Sequence, residues 1–427
     1  MLSTLALKCV LFVLRFGNMY GADSRSFIRT IEHYRMSGIL PDLKFSMTSY
    51  HPPSSFMIVK TLMSGTGLSS TMAAQILSFA SLIGAFLLLR SILKKINVLY
   101  SPFGITFLYL FASLPVVLTL TMASTYDSLV FLLAMISLHL SIDLFWKPGK
   151  FSMKNSYDKL HIILLFQAFI VALLTKFTGL LFLSFPLVVI LVRNDKENMV
   201  KNIAIAITVG VLAISSALPY YYARYYKETG DLIPSPMEWL VPKQFSQAKQ
   251  YRDMDKVGFA LNMIRIPAMS YTSFNTARDS FVHAIWHDVW KVDFKPDGVF
   301  RKTPNIVVHV LIPIFFIGLL AFVGSHRKRG PPLSDFAWVL TGCTAVFILA
   351  NLYFAYQNPF FGDTFRGWRV FKAKYSPPTI LWIAFICSLG ITNVAGKLNK
   401  YTFGKLGSIS IVSLLFLMTV INHTAGP

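Results

Sequence analysis

The sequence predicts an all-α integral membrane protein with about eleven transmembrane helices and amphipathic helices lying in its outer loops. Three observations carry that prediction. Of 427 residues, 54% are apolar and only 14% charged, and the mean hydropathy of +0.57 lies well outside the balance of soluble domains. Uncharged or nearly uncharged stretches recur along the whole length, each near the ~20 residues that a helix needs to cross a bilayer. Between them, short connections rich in Lys and Arg alternate with long ones that hold most of the acidic residues, as the positive-inside rule requires.

The first apolar stretch, 2–15, is short and contains Lys8. No small-residue cleavage site follows before Arg15 and Phe16, so it reads as a helix rather than a removed signal. Further spans are predicted at 71–89, 103–122, 126–146, 160–175, 178–192, 202–222, 304–324, 336–356, 377–394 and 407–421. SSFMIVKTLMSGT (54–66), with Lys60 in its middle, is too short to cross and fits an amphipathic helix in the interface. With that exclusion and a cytoplasmic amino terminus, RSILKK (90–95), KPGKFSMKNSYDK (147–159), RNDKENMVK (193–201), HRKRG (326–330) and GKLNKYTFGK (396–405) all fall inside. The formal charge of +21 is therefore sorted by side of the membrane and implies no nucleic-acid partner. Cys9, Cys343 and Cys387 lie within predicted spans and read as apolar packing residues, not as a disulfide or metal framework.

The segments 16–70, 223–303 and 357–376 are left on the outer side and form one face of a single membrane domain, 1–427. They hold Trp239, Trp286, Trp290 and Trp368, which suit a membrane–water boundary. DSFVHAIWHDVWKV (279–292) has the spacing of a surface-lying helix, as do Phe27, Ile28, Ile31 and Tyr34 in the first outer loop.

The candidate site residues gather on this face. Asp23 precedes the first-loop helix; it is a helix cap or a general base for an acceptor hydroxyl, and local sequence leaves both open. In TSYHPPSSF (48–56), Pro52 and Pro53 suit the start of a helix. His51 adds a donor for an anion beside the positive end of the helix dipole. Asp127 in STYDSLVFLL and Lys176 in ALLTKFTGLL sit at outer span ends and invite pairing, the alternatives being a cap and a snorkelling lysine. Arg366, Arg369, Lys372 and Lys374 in GDTFRGWRVFKAKYSPP run against the positive-inside trend. An anion, either a headgroup or a substrate, answers such a cluster.

Taken in order, a first-loop carboxylate, HPP opening a short interfacial helix, YDSLVFL, LTKFTGLL and KAKYSPP resemble the GT-C superfamily of membrane glycosyltransferases. The branch resembled holds the protein O-mannosyltransferases and the lipid A aminoarabinose transferases. The resemblance covers residues 1–200, is weaker at 357–380, and is not evident in 223–303. It implies transfer of a sugar from a polyprenyl or dolichyl monophosphate, outside the cytoplasmic leaflet, to a hydroxyl of a glycan, lipid or protein. No cofactor or divalent metal is implied. Asp23 matches the base of such enzymes, although many relatives carry an acidic pair where Ser24 follows here. His51, Arg25, Lys176, Arg366, Arg369 and Lys374 match the lipid-phosphate side, and Asp127, Tyr50, Tyr126 and Tyr375 are polar groups of the same cavity.

No Gly-rich phosphate loop occurs in the basic inner loops, which suits a lipid-linked donor. A lipid or solute transporter is the competing class, with Asp127 and Lys176 as a gating pair. A relative that only binds lipid is a third reading. Depth separates the first two, because transport needs the charges at mid-membrane. The bacterial plasma membrane is favoured over the endoplasmic reticulum. The orientation predicts that cysteines introduced at Ser152 and Ser246 react with an impermeant thiol reagent from opposite sides of the membrane; labelling of both from one side overturns it.

Overall fold

Helix boundaries follow local chemistry throughout the computed structural model, which describes residues 2–19, 23–46, 48–146, 155–193, 198–232, 289, 303–325, 331–357 and 376–398. After α1 (Leu2–Arg15) come two short helices, α2 (Ser24–Ser37) and α3 (Ser54–Thr66). These end at Gly38 and Gly67 with φ of 73° and 70°, the left-handed conformation that closes a helix on its own carbonyls. The Ser69 side chain caps α4 (Ser70–Lys95) by accepting from the Met72 N–H. Ser101 caps α5 (Pro102–Ser113) in the same way through Gly104. Each cap satisfies a donor that the helix itself leaves open.

α6 (Pro115–Met122) continues α5 after a bend of 51°. Pro115 causes it, since proline has no N–H to give and its ring displaces the preceding turn. α7 (Asp127–Phe145) and α8 (Ser156–Leu173) follow, then a 3-10 turn (Phe177–Leu183) leading into α9 (Ser184–Arg193). α10 (Met199–Tyr221) runs on through a π-helical turn, Tyr222–Tyr226. The remaining described helices are α11 (Thr303–Ser325), α12 (Pro331–Gln357) and α13 (Pro377–Leu398).

This is a multi-pass membrane architecture, but the span count differs from the prediction. Among the described residues, six helices are long and apolar enough to cross, or seven with the bent α5–α6 pair counted as one. The shortfall from about eleven has identifiable sources. The predicted span 178–192 begins as a 3-10 turn, and Phe177–Arg193 and Leu311–Gly324 are apolar but shorter. The first helix has 14 residues, and 407–421 lies outside the described residues. So do nearly all of the loops 223–303 and 357–376, including the helix expected at 279–292 apart from Val289.

α7 is central, packing on α4, α8 and α9. α11 crosses α13 so closely that a Cβ on Gly318 would stand 1.9 Å from the Ile386 carbonyl oxygen, and one on Gly390 2.0 Å from that of Ile314. Small residues permit such backbone approach where no water-driven force holds helices together. α2 and α3 pack on each other and on α4, with Phe27, Ile28 and Ile31 buried as their spacing predicts. Glu32 fastens α2 further: burial alone would raise its carboxyl pKa, but hydrogen bonds from Ser70 and Arg35 outweigh that and hold it below its ordinary value.

At the end of the bundle opposite Asp127, Asp143 joins three helices. Lys95 of α4 donates to one carboxylate oxygen, while the other faces His139 at 3.3 Å and His161 of α8 at 3.5 Å. His139 also meets the Ser91 hydroxyl at 3.0 Å. Asp143→Ala removes the common acceptor and leaves three bases facing one another. With Lys95 31% exposed, solvent screening limits the expected loss to about 1–3 kcal/mol. A lowered melting temperature of the detergent-purified protein checks this; an unchanged one shows that the cluster is held by water instead.

Candidate functional site

Three short connections meet at the end where α7 begins, α8 ends and α3 starts. The chain leaves α8 through Thr175 and Lys176, whose N–H groups both bond to the Ala172 carbonyl at 3.1 and 3.0 Å. Lys176 itself is extended, with φ of −158° and ψ of 146°. Gly179 then donates back to the Lys176 carbonyl at 2.8 Å. A Cβ on Gly179 would fall 2.4 Å from the Ala172 carbonyl group, so the turn needs glycine. This turn aims the Lys176 side chain at α7, where Nζ donates to Asp127 Oδ1 at 2.9 Å with both side chains buried.

The second connection, 39–53, carries Tyr50 and His51. A ladder of hydroxyls pins it to α2: Thr30 Oγ1 meets Ser46 Oγ at 2.7 Å and Thr48 Oγ1 at 3.1 Å, and the Thr48 N–H donates to Ser26 Oγ at 3.1 Å. Ser54, the first residue of α3, donates its N–H to the Leu174 carbonyl at 2.8 Å. One donor of that helix start therefore goes to α8, and the loop and the α8 end are held as a unit. On the far side, the Arg224 guanidinium bonds to the Pro41 carbonyl, tying the loop to the π turn of α10.

The third connection supplies Tyr126, and here the pieces converge. The Tyr126 hydroxyl hydrogen-bonds His51 Nε2, with His51 only 3% exposed. The Lys176 ammonium lies 4.9 Å over the Tyr126 ring, a favourable cation–π placement. Tyr50 packs on His51 with ring centroids 4.1 Å apart and stacks on Phe177 at 6.2 Å. Phe177 in turn meets Tyr221 and Tyr225 at 5.7 and 5.4 Å, and the Tyr221 hydroxyl donates to the Leu173 carbonyl at 2.6 Å.

Of the residues singled out from the sequence, His51, Tyr50, Tyr126, Asp127 and Lys176 are thus assembled in one cluster. Asp127 and Lys176 pair with each other, so neither the lone cap nor the snorkelling lysine describes them. Asp23 stands at the N-cap position of α2. Four residues on, Phe27 packs on Tyr126 at 5.5 Å and on Phe56 at 5.2 Å, bringing the first turn of α2 against the cluster. Arg25 is exposed on that turn. Arg366, Arg369, Lys374 and Tyr375 lie outside the described residues.

Sequence reasoning missed Phe27 and Phe177 as packing partners of the cluster, because phenylalanine carries no signal in so apolar a chain. It also missed four hydroxyls. Ser55, Ser124, Thr125 and Thr178 have buried side-chain oxygens with no hydrogen-bond partner within the chain, and all lie within four residues of His51, Asp127 or Lys176. Buried polar atoms ordinarily find partners, so hydroxyls flanking the YD and TK motifs were the available clue. Among the described residues, no group of three or more His, Cys, Asp or Glu is placed to hold a metal ion. An imidazole, a tyrosine and hydroxyls beside a compensated ion pair are groups with the chemistry to donate to an oxyanion.

The pair also sets the stability of this end. Lys176→Met strands the Asp127 carboxylate, 1% exposed, and removing one partner of a buried pair costs about 3–5 kcal/mol. The double variant Lys176→Met/Asp127→Asn is expected to recover most of that loss in a thermal melt; additive losses would show that the two side chains act independently.

No protein-family model and no curated protein sequence matches the chain. Solved structures do. ArnT from Cupriavidus metallidurans bound to undecaprenyl phosphate superimposes with a TM-score of 0.55 at 10% identity, over 99% of this chain and 76% of its own. The oligosaccharyltransferase AglB from Archaeoglobus fulgidus, in complex with an inhibitory peptide and a dolichol-phosphate, gives 0.54 at 11% identity over 100% of this chain. Its apo form gives 0.56 at 12%. The chain spans 56% of the length of the archaeal protein. With nearly every residue of this chain aligned to them, its fold is the membrane fold that ArnT and the archaeal AglB share.

Proposed function

We propose that the protein is a glycosyltransferase that moves a sugar from a polyprenyl or dolichyl monophosphate to an acceptor hydroxyl at the outer face of its membrane. The observation that carries this reading is the buried contact of His51 and Tyr126, backed by Lys176 and Asp127, against the first turn of α2, where Phe27 packs on Tyr126. The fold adds support, since ArnT and AglB were each captured with a lipid phosphate. The ion pair lies at the ends of α7 and α8, not midway along them, which fits a surface reaction better than the transporter alternative.

The reaction proposed is a single displacement. Asp23 accepts the proton of the acceptor hydroxyl, whose oxygen attacks the anomeric carbon while the bond from that carbon to the phosphate oxygen breaks. The anomeric centre inverts, and the lipid phosphate leaves with the bonding electrons. His51 and Arg25 supply donors to the leaving phosphate, Lys176 supports them from behind Tyr126, and Arg366, Arg369 and Lys374 bring further positive charge. Donors set in advance around the leaving oxygens stabilise the charge that grows in the transition state. Tyr50 and Tyr375 complete the polar wall, and Asp127 holds Lys176 behind it. The sugar transferred is a hexose or pentose, the acceptor a glycan, lipid or protein, and the membrane a bacterial plasma membrane.

Membranes holding the protein, incubated with radiolabelled polyprenyl-phosphate sugars, are expected to pass label to an acceptor. Asp23→Asn removes the proton acceptor but little volume, and the loss of a positioned base lowers turnover by ~10²–10⁴-fold. An Asn variant that keeps near-normal turnover while folded would take Asp23 out of the reaction.

A further inference from the structure

Tyr126 stands between the ion pair and the imidazole, and its hydroxyl can either donate to His51 Nε2 or accept from it. A neutral imidazole carries one N–H, and the bond made by one ring nitrogen decides what the other can offer. We propose that Tyr126 is a positioning residue that donates to Nε2, fixing the proton of His51 on Nδ1 so that the ring presents an N–H donor to the lipid phosphate. The inference rests on the reading of this site as a lipid-phosphate transferase.

Three features favour donation over acceptance. The Lys176 ammonium lies over the face of the Tyr126 ring, 4.9 Å from its centroid, and draws electron density from the phenol, which makes its hydroxyl a better donor and a poorer acceptor. Asp127 holds that ammonium in place through a bond of 2.9 Å in a buried setting, so the polarising charge does not wander. The ring itself is wedged between Phe27 at 5.5 Å and His51 at 4.4 Å, and Tyr126 is anchored where its carbonyl accepts from the Val130 N–H at 3.2 Å.

Backbone and ring contacts hold the imidazole in place. His51 follows a turn in which its own N–H donates to the Thr48 carbonyl at 3.0 Å, and Tyr50 covers the ring at 4.1 Å. With Nε2 engaged by Tyr126, a phosphate contact from this ring comes from Nδ1. The arrangement gives a phosphate donor whose direction is set without adding charge to a buried ring. It assigns Asp127 and Lys176 a role through Tyr126, as supports of a hydrogen-bond polarity and not as contacts to substrate.

The test is nitrogen NMR of the full-length protein in lipid nanodiscs with ¹⁵N-histidine, the His51 signals being identified by their loss in His51→Ala. The parent protein is expected to show His51 protonated at Nδ1; protonation at Nε2 overturns the inference with no variant needed. Tyr126→Phe is expected to shift the ring to a mixture of tautomers and to weaken binding of undecaprenyl phosphate by ~5–10-fold, the loss of one hydrogen bond. Lys176→Met/Asp127→Asn, with the polarising charge gone, should move the tautomer signal in the same direction. If Tyr126→Phe leaves both tautomer and affinity unchanged while His51→Ala loses affinity, the inference fails and the transferase reading stands. If His51→Ala binds undecaprenyl phosphate as well as the parent does, the phosphate-clamp reading fails with it.

Discussion

The bond between Lys176 and Asp127 is the constraint on which the site end of this protein depends. Two opposite charges buried at the end of a helical bundle are tolerated only in each other's company, because each alone would suffer the full cost of leaving water. Their pairing fixes the end of α8 relative to the start of α7. Everything else at that end is referred to this joint. The α8 end takes the first N–H of α3, the α7 start presents Tyr126, and the loop carrying His51 is held between them.

The same two helices are joined again at their other ends, where Asp143 faces Lys95 and two histidines. Between these polar joints the buried side chains of α7 are mostly apolar, with Ser128, Ser137 and Ser141 among them. Apolar contacts within a membrane carry little directional information, since lipid tails satisfy the same side chains nearly as well. Polar joints at both ends supply what the middle lacks: they define rotation and vertical register. A rigid frame of this kind suits a site whose donors must stand ready before the substrate arrives.

Much of this was legible in the sequence, and the reasons for success and failure are physical. The bilayer permits few solutions, so apolar length and loop charge reveal the membrane class, while the spacing of Phe27, Ile28, Ile31 and Tyr34 reveals the first-loop helix and the shortness of 54–66 the second. Ionisable residues beside membrane spans stand out in such a chain, which is why His51, Asp127 and Lys176 could be picked singly; Tyr50 and Tyr126, their immediate neighbours in sequence, came only as polar groups of the same cavity. Span counting fared worse. Hydropathy sums over a window and is blind to a 51° bend at Pro115 or to a 3-10 turn that shortens an apolar run. The hydroxyls of Ser55, Ser124, Thr125 and Thr178 were hidden for a different reason: serine and threonine are at home inside membrane helices, where they usually bond to the carbonyl four residues back, as Thr106, Ser137's neighbour Ser141, and Thr208 do here.

The π turn at Tyr222–Tyr226 has a consequence of its own. Widening one turn of a helix takes up an additional residue, and everything beyond it is rotated by roughly a quarter of a circle relative to an uninterrupted α-helix. The lipid-facing and bundle-facing stripes of α10 are thereby out of phase across the turn. That widening lets one continuous helix serve two neighbours with different demands: before the turn, small residues such as Ala213 and Ala217 are packed inside, and within it Arg224 and Tyr225 reach the loop and Phe177. The helix works as a key cut on two separate faces, and sequence change on one side of the turn need not be matched on the other.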